Sequence, residues 1–320
     1  MRAWQVSALH QAAGMTTLGL PQPATGQARL RVAACGLNFA DLLMAQGKYQ
    51  ERPTLPYVPG MEFAGTVDAL GPNTTGPAPG TRVAAFAGSG GLAEYAVVDA
   101  ARLVPLPDAM SFAEAAAFQI AYGTSHLALT HKARLQPGET LLVLGAAGGV
   151  GLTAVEIGKR LGARVIACAR GADKLAIARA AGADVTIDSE TPDLKAAFKA
   201  LGGVDVVYDP VGGPAFMAAL SACRPDGRLL AIGFASGEVP QIPANLLLVK
   251  NLSVIGLYWG GYLNFAPQVL TDSLRTLFQW FAEGGLRPHI SHQLDFADYP
   301  QGLELLRSRQ ATGKVVISLP

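Results

Sequence analysis

The chain has 320 residues, half of them hydrophobic and only 15% charged, with a net charge of +1. That length accommodates two domains, each large enough to bury a core. The near-neutral balance gives no electrostatic case for nucleic acid or an anionic membrane as the main partner.

The opening stretch, MRAWQVSALHQ, lacks the apolar core of a signal peptide. No apolar run approaches the roughly 20 residues of a membrane span. Cys35, Cys168 and Cys223 lie far apart in the sequence. They read as buried free thiols, and a cytoplasmic location is expected.

The first third is β-rich. RLRVAACGL (29–37), EFAGTVDAL (62–70), TRVAAF (81–86) and AEYAVV (93–98) are short apolar or alternating segments. Glycine and proline clusters such as GPNTTGPAPG (71–80) separate them, which predicts a barrel-like or folded sheet. A helix is expected over Phe39 to Ala45. Ser111 can cap another, with Glu114 completing a capping box. An alanine-rich helical region then runs toward His131.

From there strands alternate with helices. The strands are TLLVLG (140–145), RVIACA (164–169), DVTID (184–188), VDVVYDPV (204–211), GRLLAIG (227–233) and NLSVIGL (251–257). Helices are expected over Asp173 to Ala181, Asp193 to Leu201 and Pro214 to Cys223. Six strands with crossover helices make a doubly wound parallel α/β sheet. The tail carries an amphipathic helix from Pro267 to Glu283, a helix from Tyr299 to Ser308 and a closing strand, VVISL. With no further βα unit, the tail from residue 261 is expected to join residues 1–117 as one domain. Residues 118–260 form the other.

The strongest motif is ETLLVLGAAGGVG (139–151). A buried strand runs into a glycine turn and then a helix from Leu152, the context a dinucleotide site requires. Glycine lets backbone approach a pyrophosphate, and free N–H groups at the helix start face its charge. Gly148, Gly149, Val150 and Gly151 are the expected contacts. The second strand ends at Ala169 without a carboxylate at its tip; Arg170, Asp173 and Lys174 follow. Arg170 and Lys174 suit a 2′-phosphate, which argues for NADPH over NADH. The alternative is a solvated helix start, with Asp173 on the ribose.

Several motifs together resemble one family. They are CGLNFADLL (35–43), GKYQERPTLPYVPGMEFAGTV (47–67), AAGGVG (146–151), VYDPVGG (207–213) and TGKVVI (312–317). The chain resembles the zinc-free, zeta-crystallin-like quinone oxidoreductases of the medium-chain dehydrogenase/reductase superfamily. The resemblance implies a Rossmann domain, a GroES-like catalytic domain and a cofactor in the cleft between them. It also implies NADPH-dependent reduction of a quinone in a homodimer paired through NLSVIGL. That strand could equally be an ordinary buried strand.

Zinc-dependent relatives place a cysteine where Asn38 stands and a His-Glu pair where Met61-Glu62 stands. Without thiolate or imidazole there, no metal is expected. His289 and His292 in PHISHQL lack an evident third ligand. With no Lewis acid to polarise an alcohol or carbonyl, an already electrophilic acceptor is favoured.

The resemblance assigns Asn38 and Asp41 to the nicotinamide-proximal loop. Asn38 could instead serve as a turn or helix cap. It assigns Tyr49 to the substrate cleft, as a lining residue or as a proton donor. Thr124, Gly233 and Phe234 match cofactor contacts. Lys314 matches a basic contact near the cofactor, with plain surface charge as its alternative. Two other functions stay open. One is reduction of an α,β-unsaturated carbonyl or enoyl thioester. The other is a non-catalytic NADPH-binding or structural role of the crystallin type.

Overall fold

Strands in the first third form where apolar residues alternate, as the longest of them illustrates. A computed structural model describes the chain from Met1 to Pro320. In chain order its first part contains β1 (Arg2–Gln5), β2 (Gly14–Thr17), β3 (Gln27–Leu37), α1 (Phe39–Ala45) and β4 (Glu62–Leu70). Then come β5 (Arg82–Phe86), β6 (Tyr95–Asp99), β7 (Val104–Pro105) and α2 (Phe112–Ala116). Leu30 and Val32 of β3 turn inward while Arg29 and Arg31 turn out, the period of a half-buried strand. Ser111 and Glu114 close the expected capping box at the start of α2.

The chain continues through α3 (Gln119–His126), a π-helical turn (Leu127–Lys132) and β8 (Thr140–Leu144). There follow α4 (Gly149–Arg160), β9 (Arg164–Ala169), α5 (Ala172–Ala180), β10 (Val185–Asp188), α6 (Leu194–Ala200) and β11 (Val204–Asp209). The series ends with α7 (Gly213–Ala222), β12 (Cys223–Ala231), α8 (Ala244–Lys250), β13 (Ser253–Gly256), α9 (Tyr262–Phe265) and α10 (Pro267–Ala282). The six strands are parallel in the order β10-β9-β8-β11-β12-β13. This is the doubly wound dinucleotide-binding order, with its switch point between β8 and β11. Leu142, Leu144, Ile166, Val207 and Leu229 pack against Phe198, Phe216 and Leu220 of the covering helices.

The last elements are β14 (Ile290–Asp295), α11 (Tyr299–Arg307) and β15 (Lys314–Ser318). They complete a seven-stranded sheet in the order β14-β15-β3-β4-β5-β7, with β6 also paired to β3. Its core holds Leu30, Val32, Phe63, Val83, Val315 and Ile317. Trp4 joins it, its indole N–H donating to the Phe296 carbonyl at 2.8 Å.

The chain divides into Met1–Ile120 with Pro288–Pro320, and Ala121–Arg287. Residues 261–287 thus belong to the second unit, where the sequence reading joined them to the first. The reason is the burial partner of α10. Ser273 shares a 2.8 Å hydrogen bond with His126 Nδ1, and Arg160 lies 4.7 Å from the Trp280 ring centroid while bonding Glu283 at 2.7 Å. All three cysteines are buried and free. No helix is long and apolar enough to cross a membrane.

Candidate functional site

In the second unit, the candidate residues gather at the carboxyl ends of the parallel strands. Gly145 follows β8 with a φ of +59°, a turn that glycine makes without strain. Gly148 is the extended N-cap of α4 and is exposed. The first intrahelical bond is from Leu152 N–H to Gly148 O at 2.9 Å. The amides of Gly149, Val150 and Gly151 therefore stand ahead of it at a positive helix end. A Cβ on Gly151 would collide with the Gly145 carbonyl, so only glycine keeps strand and helix this close. These residues fit a pyrophosphate.

Two neighbouring loops border the turn. A Cβ on Gly145 would lie 2.9 Å from Val211 in the loop after β11. Asp209 holds that loop by accepting the N–H groups of Val211 (2.7 Å) and Gly212 (3.0 Å). Gly233 and Phe234 follow β12, and this loop bonds back through Ala235 N–H to Pro210 O and Ser236 N–H to Val211 O. Phe234 is exposed. Thr124 is buried in α3. Its neighbour Ser125 donates to Val150 O at 2.9 Å and shares hydrogen bonds with Thr153 and Tyr208. The hydroxyl cluster thereby ties α3 to the glycine turn.

Arg170 is exposed just past β9, with Lys174 one turn into α5. Arg170 Nε lies 3.3 Å from Glu190 Oε1. Asp188 stands beside Ala169 in the sheet register and accepts the Gly171 N–H at 3.2 Å. The strand tip that lacks its own carboxylate thus has two acidic neighbours on the adjoining strand and loop.

In the first unit, the centre is a buried polar network. Lys314 Nζ donates to Glu62 Oε1 (2.6 Å) and Asn38 Oδ1 (2.7 Å). Asn38 Nδ2 donates to Glu62 Oε1 at 3.0 Å, and Glu62 Oε2 accepts the Ile120 N–H at 2.8 Å. The Lys314 and Glu62 side chains are 6% and 0% exposed, so this pair lies out of water. Lys314 is therefore not a surface charge. Asn38 is the N-cap residue of α1, and both ends of its amide are engaged.

Asp41 accepts the Asn38 N–H at 2.8 Å with Oδ2, while its buried Oδ1 has no partner. Burial raises its carboxyl pKa from 3.8 to about 6, against the pull of the Asn38 N–H and the Lys314 ammonium. Tyr49 is half-buried. Burial, then the charges of Glu51 and Asp41, push its phenol up to about 12.

The donor set does not fit zinc. Asn38 and Met61 offer a carboxamide and a thioether, and an ammonium sits on the Glu62 carboxylate. No group of three or more His, Cys, Asp and Glu side chains could hold a metal ion. His289 and His292 bond Thr312 and Ser291 instead.

Sequence reasoning did not single out Glu62 or Glu190 as functional. A charge heading the apolar strand EFAGTV was the available signal for Glu62. Glu190 gave none, since acids in a loop are ordinary.

Residues 24–108 match the alcohol dehydrogenase GroES-like domain, and residues 149–282 match the zinc-binding dehydrogenase family. A quinone oxidoreductase-like protein 2 homolog from Nematostella vectensis is 43% identical over 300 residues, covering 92% of this chain and 82% of the relative. Quinone oxidoreductase-like protein 2 from Bos taurus is 41% identical, covering 92% and 85%. The Thermus thermophilus quinone oxidoreductase, solved also with NADPH, aligns at a TM-score of 0.87 and 34% identity over all of both chains. The Escherichia coli quinone oxidoreductase complexed with NADPH aligns at 0.91 and 28% identity, covering 99% of this chain and 100% of that one.

Proposed function

We propose, for a chain that belongs to the quinone oxidoreductase-like medium-chain dehydrogenases/reductases, that it reduces quinones with NADPH. Membership makes it an NAD(P)H-type oxidoreductase; the quinone and the phosphorylated cofactor are our reading. The observation that carries it is the glycine turn at the start of α4 with Arg170 and Lys174 beside the next strand.

When bound, the cofactor supplies the hydride. The amides of Gly149, Val150 and Gly151 would hold its pyrophosphate, and Arg170 with Lys174 would meet the 2′-phosphate. Thr124, Gly233 and Phe234 would border its nicotinamide end. Asn38 and Lys314, bonded to Glu62 and to each other, frame the loop at the start of α1 and fix its shape. Asp41 anchors that loop through the Asn38 N–H. Tyr49 lines the acceptor site.

The Tyr49 phenol at about 12 favours the quinone over an enone or enoyl thioester. Enone reduction requires a proton at Cα, and a weaker acid gives it less readily. A quinone acceptor needs no protonation at carbon. We also propose a homodimer. β13 is the edge of the six-stranded sheet, and α8, which precedes it in the chain, exposes Leu248 (77%) and Val249 (67%).

The test follows NADPH and NADH consumption with a panel of benzoquinones, naphthoquinones and enones, for wild type and Tyr49→Phe. Quinone turnover with NADPH, little changed in the variant, is expected. No acceleration over background with any acceptor would leave only a binding role. A clear NADH preference would remove the phosphate reading, and enone turnover lost in Tyr49→Phe would make Tyr49 an acid.

A further inference from the structure

The cationic corner after β9 carries its own anion. Arg170 Nε lies 3.3 Å from Glu190 Oε1, with both side chains exposed, 59% and 68%. The pairing is built by backbone. Asp188 Oδ1 accepts the Glu190 N–H at 3.0 Å while its Oδ2 accepts the Gly171 N–H at 3.2 Å. Ser189 N–H donates to Ala169 O at 2.9 Å, and Thr191 N–H to Asp188 O at 3.0 Å. Two of these hydrogen bonds, Gly171 N–H to Asp188 and Ser189 N–H to Ala169 O, tie the loop after β10 to the turn after β9, and the other two shape the loop itself. Glu190 is carried opposite Arg170 by that staple.

We infer that Glu190 is a specificity-determining residue for the adenosine end of the cofactor. It restrains the preference for a 2′-phosphate that Arg170 creates. The inference rests on the assignment of Arg170 to that phosphate. The physical argument is competition for one guanidinium. In the free protein Arg170 is paired with Glu190. A ligand phosphate must displace that carboxylate and then tolerate it nearby, since like charges in proximity disfavour binding. A ligand with a free 2′-hydroxyl meets no such repulsion, because a carboxylate can accept its hydrogen bond. The strand tip thus combines the base suited to one cofactor with an acid suited to the other. The acid comes from the neighbouring loop, where the second strand itself supplies none.

The restraint is small because the pair is solvated. Exposed ion pairs of this kind are weak, so removing Glu190 should tighten a 2′-phosphorylated ligand by about 1.5- to 5-fold at low salt. The experiment titrates the purified full-length protein with adenosine 2′,5′-bisphosphate and with adenosine 5′-monophosphate by calorimetry. It compares wild type, Glu190→Gln and Arg170→Ala. The expected result is a ratio of affinities, bisphosphate over monophosphate, that rises in Glu190→Gln and falls in Arg170→Ala. The rise should shrink as salt is added.

A ratio that falls in Arg170→Ala but does not rise in Glu190→Gln overturns the role of Glu190 and leaves the phosphate assignment standing. A ratio unchanged in Arg170→Ala overturns that assignment and the inference with it. Equal tightening of both ligands in Glu190→Gln also overturns the inference, since it would report a general field and no discrimination.

Discussion

Replacing Lys314 with Met removes the cation from the buried network of the first unit. The two side chains of its ion pair are 6% and 0% exposed, so the small values measured for surface pairs do not apply. The variant leaves the Glu62 side chain with two donors, Ile120 N–H and Asn38 Nδ2, and no countercharge. Asn38 Oδ1 also loses its donor. Breaking one side of a buried pair costs about 3–5 kcal/mol. For a body of this size that is a fall in melting temperature of roughly 6–20 °C. Glu62→Gln should also destabilise, by leaving the ammonium without its anion. The double variant Glu62→Gln/Lys314→Met should lose less than the sum, with a coupling of about 1–3 kcal/mol. Urea unfolding of all four proteins measures the cycle. A Lys314→Met cost below about 1 kcal/mol, or additive single variants, would refute the reasoning.

Asp41 gives a pH signature. Its folded pKa, about 6, lies above the free value of 3.8, so its contribution is fully present below 3.8 and is lost as pH rises through 6. The stability of Asp41→Asn relative to wild type should therefore rise by roughly 3 kcal/mol between about pH 4 and about pH 8; a pH-independent difference in urea midpoints would contradict the burial argument. Gly151→Ala drives a Cβ into the Gly145 carbonyl and should cost about 1–3 kcal/mol. Gly148→Ala has only Gly145 O, at 3.3 Å, near the new methyl. It should keep its melting temperature yet bind NADPH more weakly by fluorescence titration, and equal effects from the two variants would refute the distinction. Leu248→Glu with Val249→Glu should shift the protein from dimer to monomer in sedimentation; an unchanged sedimentation coefficient would exclude α8 from the interface.

The βα alternation and the glycine turn were legible because both are local. Thr140 to Leu144 is a continuous apolar run and the helix from Leu152 carries its own period, and the six strands emerged where apolar runs recur. The destination of α10 was not legible. An amphipathic helix announces that one face is buried, not which surface covers it; His126 and Arg160, far upstream, decide that. The same holds for the polar network. Lys314 meets Asn38 across 276 residues and Glu62 across 252, separations at which residue type carries no spatial information. Arg170 was found from its place after β9, but its pairing with Glu190 depends on the register of β9 and β10.

The three cysteines acquire a chemical meaning beside the proposed substrates. Quinones and enones alkylate thiolates by conjugate addition. Burial pushes the thiols of Cys168 and Cys223 up to about 12, and that of Cys35 well above its usual value. All three stay protonated and enclosed in the folded chain. Against such proposed acceptors the folded chain presents no nucleophilic sulfur, so folding itself guards the thiols from conjugate addition.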